Sequence, residues 1–211
     1  MQKITNKSYR KFIDTGEIEP VTEEELNSAL ENVKGRYKHE GRALLIMLYY
    51  TGARPVEVLQ IRAKDVTKAG SYVLIRVVGA KGGLTRTIRL QYRRPLVKEL
   101  YKYSNRVYPD MYLFFNFKGS YKRTVTTRKG TKERTDTTAK IYYHFKKWFE
   151  GVREGSLNPY FLRHNRFSKL MMKGATAEEI RVLKGAKSIN SVMPYIHLSS
   201  DTSKKLAKKI E

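Results

Sequence analysis

Thr51-Gly52-Ala53-Arg54-Pro55-Val56-Glu57-Val58-Leu59 is the stretch that decides how this chain folds. Upstream of it, from about His39, the residues Ala43, Leu44, Ile46, Met47 and Leu48 form a helix that is apolar over too wide an arc for a surface position. That pattern predicts a central helix. Thr51-Gly52 ends it, and Pro55 suits the first turn of a second helix continued by Val56, Leu59 and Gln60. Arg54 is left between the two helices. Glu57 follows it at i+3, one turn on, where a carboxylate can orient the guanidinium.

Working outward, Thr22-Glu23-Glu24-Glu25 reads as a capping box, in which the Thr22 hydroxyl accepts from the Glu25 backbone and Glu25 reaches back. Leu26, Leu30 and Val33 then give one apolar face, and Gly35 stops the helix. Downstream of the junction the period changes. Residues 72–78 and 85–90 are β-rich and flank Gly79-Ala80-Lys81-Gly82-Gly83, which predicts a hairpin with a loop longer than two residues. Pro95 opens a helix with Leu96, Leu100 and Tyr103 on one side. Residues 118–136 scatter Lys118, Lys122, Arg123, Arg128, Lys129, Lys132 and Arg134 among Gly, Ser and Thr with no apolar period. They read as a solvated loop, or as a basic loop that orders on phosphates.

Thr137 is the expected cap of a helix through Ile141, Tyr142, Phe145, Trp148 and Phe149, an aromatic stripe whose helical spacing points to core packing rather than base stacking. Pro159 opens a helix that buries Phe161, Leu162, Phe167, Leu170 and Met171, carries Arg163 and Arg166 on one side, and ends at Gly174. Thr176 and Glu179 form a second capping box before Ile180, Leu183 and Gly185. Residues 1–20 read as a polar lead-in, and residues 199–211 as a basic tail with the pattern of a short amphipathic helix that packs on this chain or a neighbour.

The 211 residues carry 43 Lys plus Arg against 20 Asp plus Glu, a formal charge of +23. A field of that sign favours a polyanion, and nucleic acid is the default partner. A basic ribosomal-type surface is the alternative. Hydrophobic residues at 40% are enough for a packed core, which argues against wholesale disorder. With no cysteine, disulfides and thiolate metal sites are excluded, and the four histidines show no metal-ligand spacing. No cofactor is expected. No apolar run is long enough to span a bilayer and no charged-then-apolar leader opens the sequence, so no membrane contact and a cytoplasmic location are expected.

A phosphodiester resists attack because its negative oxygens repel nucleophiles. Catalysis needs cations fixed around the non-bridging oxygens, and arginine suits this through its planar fork and permanent charge. Arg54 and Arg163 are two such cations. An arginine after a helix end and another in an aromatic-rich helix are also common as surface residues, so both readings stay open on these residues alone. The surrounding letters bear on the choice. Thr-Gly-x-Arg-x-x-Glu-x-Leu after an apolar helix resembles the first arginine box of the tyrosine recombinases, the phage-type integrases. Leu162-Arg163-His164 followed by Phe167, Leu170 and Gly174 is similar to the second box. Gly185 and then Tyr195-Ile196-His197 resemble the end of the motif, and the hairpin bearing Lys81 and closing with Arg86 and Leu90 resembles the family's lysine hairpin. The match runs over roughly residues 20–198.

That resemblance implies a mostly helical α+β catalytic domain, residues 21–198, with a small antiparallel sheet. It implies that Tyr195 attacks the scissile phosphate to form a 3′-phosphotyrosyl bond, that Arg54 and Arg163 hold the phosphate with Glu57 as orienting acid, and that Lys81 protonates the 5′-oxygen. Neither metal nor ATP is then required. The implied partner is double-stranded DNA, with self-association into a dimer or tetramer on it. Lys118, Lys122, Arg123, Arg128, Lys129, Lys132, Arg134 and Arg166 are the candidate DNA contacts. Two positions depart from the family pattern. Tyr160 stands where a histidine is usual, and Ala186, followed by Lys187, stands where histidine or tryptophan is usual. Archaeal virus and plasmid integrases of the fusellovirus kind are similar in replacing the first of these. Tyr160 as a phenol and Lys187 as a cation are the expected substitutes. His164 reads as a buried structural histidine, the commoner role of a lone one, and no residue is assigned to take the Tyr195 proton. About twenty residues precede the first capping box, too few for the family's N-terminal DNA-binding domain. Two rivals remain: a DNA-binding protein of this fold without catalysis, and an RNA- or ribosome-binding protein.

Overall fold

A computed structural model describes residues 21–80, 82–127, 130–153 and 157–196. Helix α1 (Glu23–Glu31) begins at the expected capping box. The Glu25 N–H donates to Thr22 Oγ1 at 3.1 Å and the Thr22 N–H donates to Glu25 Oε2 at 2.8 Å. Helix α2 (Lys38–Thr51) is the centre of the molecule, and every residue from Ala43 to Thr51 is buried. It packs against α4 (Pro95–Ser104) and α6 (Pro159–Met172). It ends at Gly52 with φ 61°, the left-handed turn that glycine adopts without strain. The one-turn helix α3 (Pro55–Val58) follows at once.

Strands β1 (Val66–Ala69), β2 (Tyr72–Val77) and β3 (Arg86–Gln91) form an antiparallel sheet in that order. Val73 pairs with Leu90, Ile75 with Ile88 and Val77 with Arg86. Period-two alternation buries Val73, Ile75, Val77, Ile88 and Leu90, and it puts Arg86 on the same buried face. A cation in the line of core residues must have an ionic partner nearby, because burying a lone charge is costly.

Residues 118–136 are not an irregular loop. β4 (Tyr121–Thr127) and β5 (Gly130–Asp136) pair antiparallel as a separate two-stranded ribbon. The segment lacks the apolar period of strands held to a core. A ribbon satisfies its backbone by cross-strand hydrogen bonds and needs no such period; its Thr, Val and Tyr content is β-favouring. The helix after it, α5 (Ala139–Trp148), has its N-cap position one residue later than expected, at Thr138, whose side chain makes no cap hydrogen bond. The Thr138 N–H and hydroxyl both donate to Asp136 Oδ1, each at 2.9 Å. Its aromatic stripe is core, with Phe145 stacked on Phe149 at 4.6 Å. Helices α7 (Ala177–Lys184) and α8 (Met193–Ile196) complete the described chain, and α7 starts at the expected Thr176–Glu179 box. Phe167, Met171, Ile180, Val192 and Tyr195 form a second, smaller core between α6, α7 and α8. No described helix is long and apolar enough to cross a membrane.

Candidate active site

The junction between α2 and α3 sets the site. Arg54 is the N-cap of α3 and Glu57 its third residue, so Glu57 reaches back to the Arg54 N–H at 2.9 Å. The Glu57 carboxylate is fully buried. It also accepts from Arg54 Nη1 at 2.8 Å, Arg86 Nη2 at 2.9 Å and the Ala80 N–H at 3.3 Å, and Arg163 Nη1 lies 3.9 Å away. One carboxylate thus ties together a helix junction, a sheet strand, the start of the hairpin loop and α6. Burial pushes its pKa up, but hydrogen bonds from Arg86 and the Arg54 backbone, with the charges of Arg86 and Arg163, outweigh this and hold it below the ordinary glutamate range.

A depressed carboxylate pKa gives stability that is present above the unfolded value, about 4.3, and lost as pH falls through the lower folded value. Glu57→Gln is therefore expected to lower Tm at neutral pH and to flatten the fall of Tm below about pH 5 that Glu57 would otherwise contribute. Thermal unfolding across pH measures it. An acid limb identical to wild type would show that Glu57 is not the linked group.

Three guanidiniums around one carboxylate leave a positive excess. Arg163 is buried at 4% exposure. It donates from Nη1 to the Gly52 carbonyl at 2.6 Å and from Nη2 to the Lys184 carbonyl at 2.9 Å. These carbonyls close α2 and α7, so two helix C-termini point their negative ends at this cation. Burial, and then the charge of Arg54, push its pKa down to about 10, which leaves it protonated at neutral pH. The Arg54 side chain is the most open of the three, at 28% exposure against 4% for the other two. Arg86 donates from Nε to the Leu183 carbonyl at 2.7 Å, while its Nη1 has no hydrogen-bond partner among the described residues.

The hairpin docks on the end of α7, where the Leu84 N–H donates to the Gly185 carbonyl at 3.0 Å. Gly185 has φ 64°, and a Cβ there would meet Arg86 Nη1 at 2.6 Å and the Leu84 carbonyl at 2.8 Å, so only glycine lets hairpin and helix approach this closely. The loop between β2 and β3 is thereby held beside the arginines, and a Cβ on Gly83 would lie 3.6 Å from Arg54 Nη1. Lys81 lies outside the described residues. Lys187 is exposed and its Nζ would be 3.9 Å from a Cβ on Gly82, which places it against the hairpin loop.

Tyr195 on α8 is 1% exposed. Its hydroxyl is 2.7 Å from His164 Nδ1, and its ring meets the edge of Phe167. His164, expected to be buried, is partly exposed: it sits next to Arg163 on α6, and its Nδ1 touches the phenol oxygen. Sequence order gave one signal for this, the adjacency of His164 to Arg163. Tyr160 is exposed, one turn before Arg163 on the same helix. Of the residues singled out from sequence, Arg54 and Arg163 are brought together around the Glu57 carboxylate, and Tyr195 joins them through His164 on α6. Arg86, Lys184 and His164 were missed as members of the cluster.

Of the other expected DNA contacts, Arg166 lies against the α2–α3 junction, where a Cβ on Gly52 would meet its side chain at 3.1 Å. Arg166 lines a cavity of about 930 Å³ with Tyr49, Tyr50, Arg94, Asn165 and Lys169, and burial followed by the charge of Arg94 lowers its pKa. Lys118 lies over the ring of Tyr112. Lys122 is exposed on the ribbon, 3.9 Å from Glu133, and Arg123 pairs in register with Arg134 and Val125 with Lys132. Arg128 and Lys129 lie outside the described residues.

The phage integrase family matches residues 19–201. A tyrosine recombinase XerA of Pyrococcus furiosus is 27% identical over 192 residues, which cover 90% of this chain and 60% of that protein. A tyrosine recombinase XerD of Mycobacterium tuberculosis is 28% identical over 181 residues, covering 83% of this chain and 55% of that one. The chain thus spans less than two thirds of either relative. Among solved structures, a XerH site-specific recombinase bound to its difH substrate superposes with a TM-score of 0.64 at 23% identity, over 92% of this chain and 55% of that chain. The catalytic domain of bacteriophage HP1 integrase superposes with a TM-score of 0.53 at 19% identity, over 90% of this chain and 94% of that one. At these identities the structures show a shared fold.

Proposed function

The chain belongs to the phage integrase family, and we propose that it is a tyrosine-type DNA strand transferase with Tyr195 as nucleophile. The observation that carries this reading is a phenol hydrogen-bonded to an imidazole, His164, whose neighbour on α6 is a buried arginine gathered with Arg54 on the Glu57 carboxylate. Arg54 and Arg163 bind the two non-bridging oxygens and stabilise the charge they gain. The Tyr195 oxygen forms the bond to phosphorus as the bond to the 5′-oxygen breaks. His164 takes the phenolic proton and Lys81 supplies one to the leaving 5′-oxygen. The phosphotyrosyl ester conserves the bond energy, so attack by a 5′-hydroxyl of the same or another strand reverses the step. Because Tyr195 is buried in the free protein, cleavage requires α8 to present it to bound DNA.

Residues 21–198 form the catalytic domain in this reading, with residues 1–20 as a lead-in and 199–211 as a tail. Double-stranded DNA is the partner, the formal charge of +23 being the support. The ribbon residues Lys122, Arg123, Arg128, Lys129, Lys132 and Arg134, with Lys118 and Arg166, are the proposed phosphate contacts, and assembly into a dimer or tetramer is proposed to follow DNA binding. Kinship with archaeal virus or plasmid integrases is a narrower reading, supported by Tyr160 in place of the usual histidine and by archaeal relatives from two Pyrococcus species.

The reading is tested with a nicked duplex of candidate attachment sequence, on which a covalent protein–DNA adduct is expected and its absence on every active-site-competent substrate would favour a non-catalytic binder. A second arm addresses Lys81. Replacing the bridging 5′-oxygen by sulfur lowers the basicity of the leaving group, so the general acid becomes unnecessary. Lys81→Ala is expected to recover most of its lost rate on that substrate, and Arg54→Ala much less. An equal improvement in wild type and Lys81→Ala would remove Lys81 from the general-acid role.

A further inference from the structure

Lys184 is a buried lysine at the end of α7 whose ammonium plays no part in the proposed mechanism. It is 9% exposed. Its backbone carbonyl accepts from Arg163 Nη2 at 2.9 Å. Its ammonium donates to the Ser191 carbonyl in the turn Ile189–Ser191, and lies 4.9 Å from the centroid of the Tyr195 ring. One residue therefore touches the phosphate clamp through its main chain and the nucleophile through its side chain. Burying an ammonium is costly, and a hydrophobic side chain of similar length would fill the site without that cost. A helix C-terminus, the Ser191 carbonyl and a π-face are among the groups that offset it.

We infer that Lys184 is a positioning residue that stabilises the negative charge Tyr195 develops as it attacks, and that holds this charge in register with Arg163. The phenol loses its proton to His164 during the attack, and the resulting charge is delocalised into the ring. A cation over the ring face attracts that anion more strongly than the neutral phenol, so its effect is realised in the transition state. Lys184 gives no proton and forms no bond. The charged or titratable groups that face Tyr195 include His164 and Arg163 on α6 and Lys184 on α7. On the β3 side, Arg86 meets α7 at the neighbouring Leu183 carbonyl. The inference rests on Tyr195 being the nucleophile.

The test measures the rate of adduct formation on a nicked DNA duplex from about pH 6.5 to about pH 9.5 for wild type, Lys184→Gln, Lys184→Arg and Tyr195→Phe. Glutamine keeps a donor for the Ser191 carbonyl and removes the charge. Lys184→Gln is expected to be slower by about tenfold to thirtyfold at neutral pH, the scale of a desolvated cation–π contact. The deficit should shrink as rising pH supplies the phenolate directly. Lys184→Arg should stay within about threefold of wild type, with an unshifted profile, because it keeps the charge. A deficit in Lys184→Gln that is the same at every pH would mean that Lys184 only holds the Ile189–Ser191 turn, and a faster Lys184→Gln would mean that it restrains Tyr195; either overturns the inference. If Lys184→Gln fails to fold, the Lys184→Arg profile decides alone, and a shift of its pH dependence overturns the inference. An adduct with Tyr195→Phe would instead defeat the underlying assignment of the nucleophile.

Discussion

Tyr195→Phe is expected to reduce covalent adduct formation to background while leaving DNA affinity within about threefold, since the proposed mechanism makes one oxygen the nucleophile and rests binding on many cations. The variant should also fold. Phenylalanine keeps the ring that fills the core of Phe167, Met171, Ile180 and Val192. What is lost is the hydrogen bond to His164 Nδ1, worth about 1 kcal/mol as a typical net contribution. Fluorescence anisotropy on duplex DNA, a denaturing gel for the adduct and a thermal melt separate the three quantities. An adduct formed by Tyr195→Phe would reject Tyr195 as the nucleophile. Loss of binding together with cleavage would show that the phenol shapes the DNA surface.

Arg54→Ala and Arg163→Ala are each expected to slow cleavage by about a hundredfold or more, the scale for removing one preorganised donor from a developing oxyanion. Their side effects should differ, because their surroundings do. Arg54 is partly open and is one of several donors to Glu57, so its loss should cost little stability. Arg163 is buried and joins the ends of α2 and α7 through the Gly52 and Lys184 carbonyls. Its removal leaves both acceptors without this donor, at about 1–3 kcal/mol for each buried group. Arg163→Lys should restore part of the fold but little of the rate, as an ammonium cannot span both carbonyls and still offer a planar fork to phosphate. Single-turnover cleavage measured alongside Tm checks this. A near wild-type rate for either alanine variant would take that arginine out of the site.

The features legible from sequence are those governed by local chemistry. Both capping boxes, Thr22–Glu25 and Thr176–Glu179, were readable because the bonded groups lie three residues apart. The central helix was readable from its wide apolar arc, and the Arg54–Glu57 pair from its i+3 spacing. The ribbon at 121–136 was not readable as β, because its strands pair with each other and leave no apolar trace of the pairing. Register, too, is a property of two strands. The same alternation that buries Ile88 and Leu90 turned Arg86 inward, and its partner Glu57 is far away in the chain.

The sequence by itself determined the capped helices, the central helix, the 72–90 hairpin, the strongly basic charge and the motifs that resemble the integrase boxes, since each is written in residues that are neighbours along the chain. The tertiary structure alone decided which cations share a carboxylate, that His164 reaches the Tyr195 hydroxyl, and that Lys184 lies over its ring. The physical reason is range. Caps and helical pairs act over one turn, whereas a buried charge must find its partner across the core. Where α2, the hairpin and α7 meet, glycines at 52 and 185 bring carbonyls and guanidiniums within hydrogen-bond distance, and only packing sets that approach.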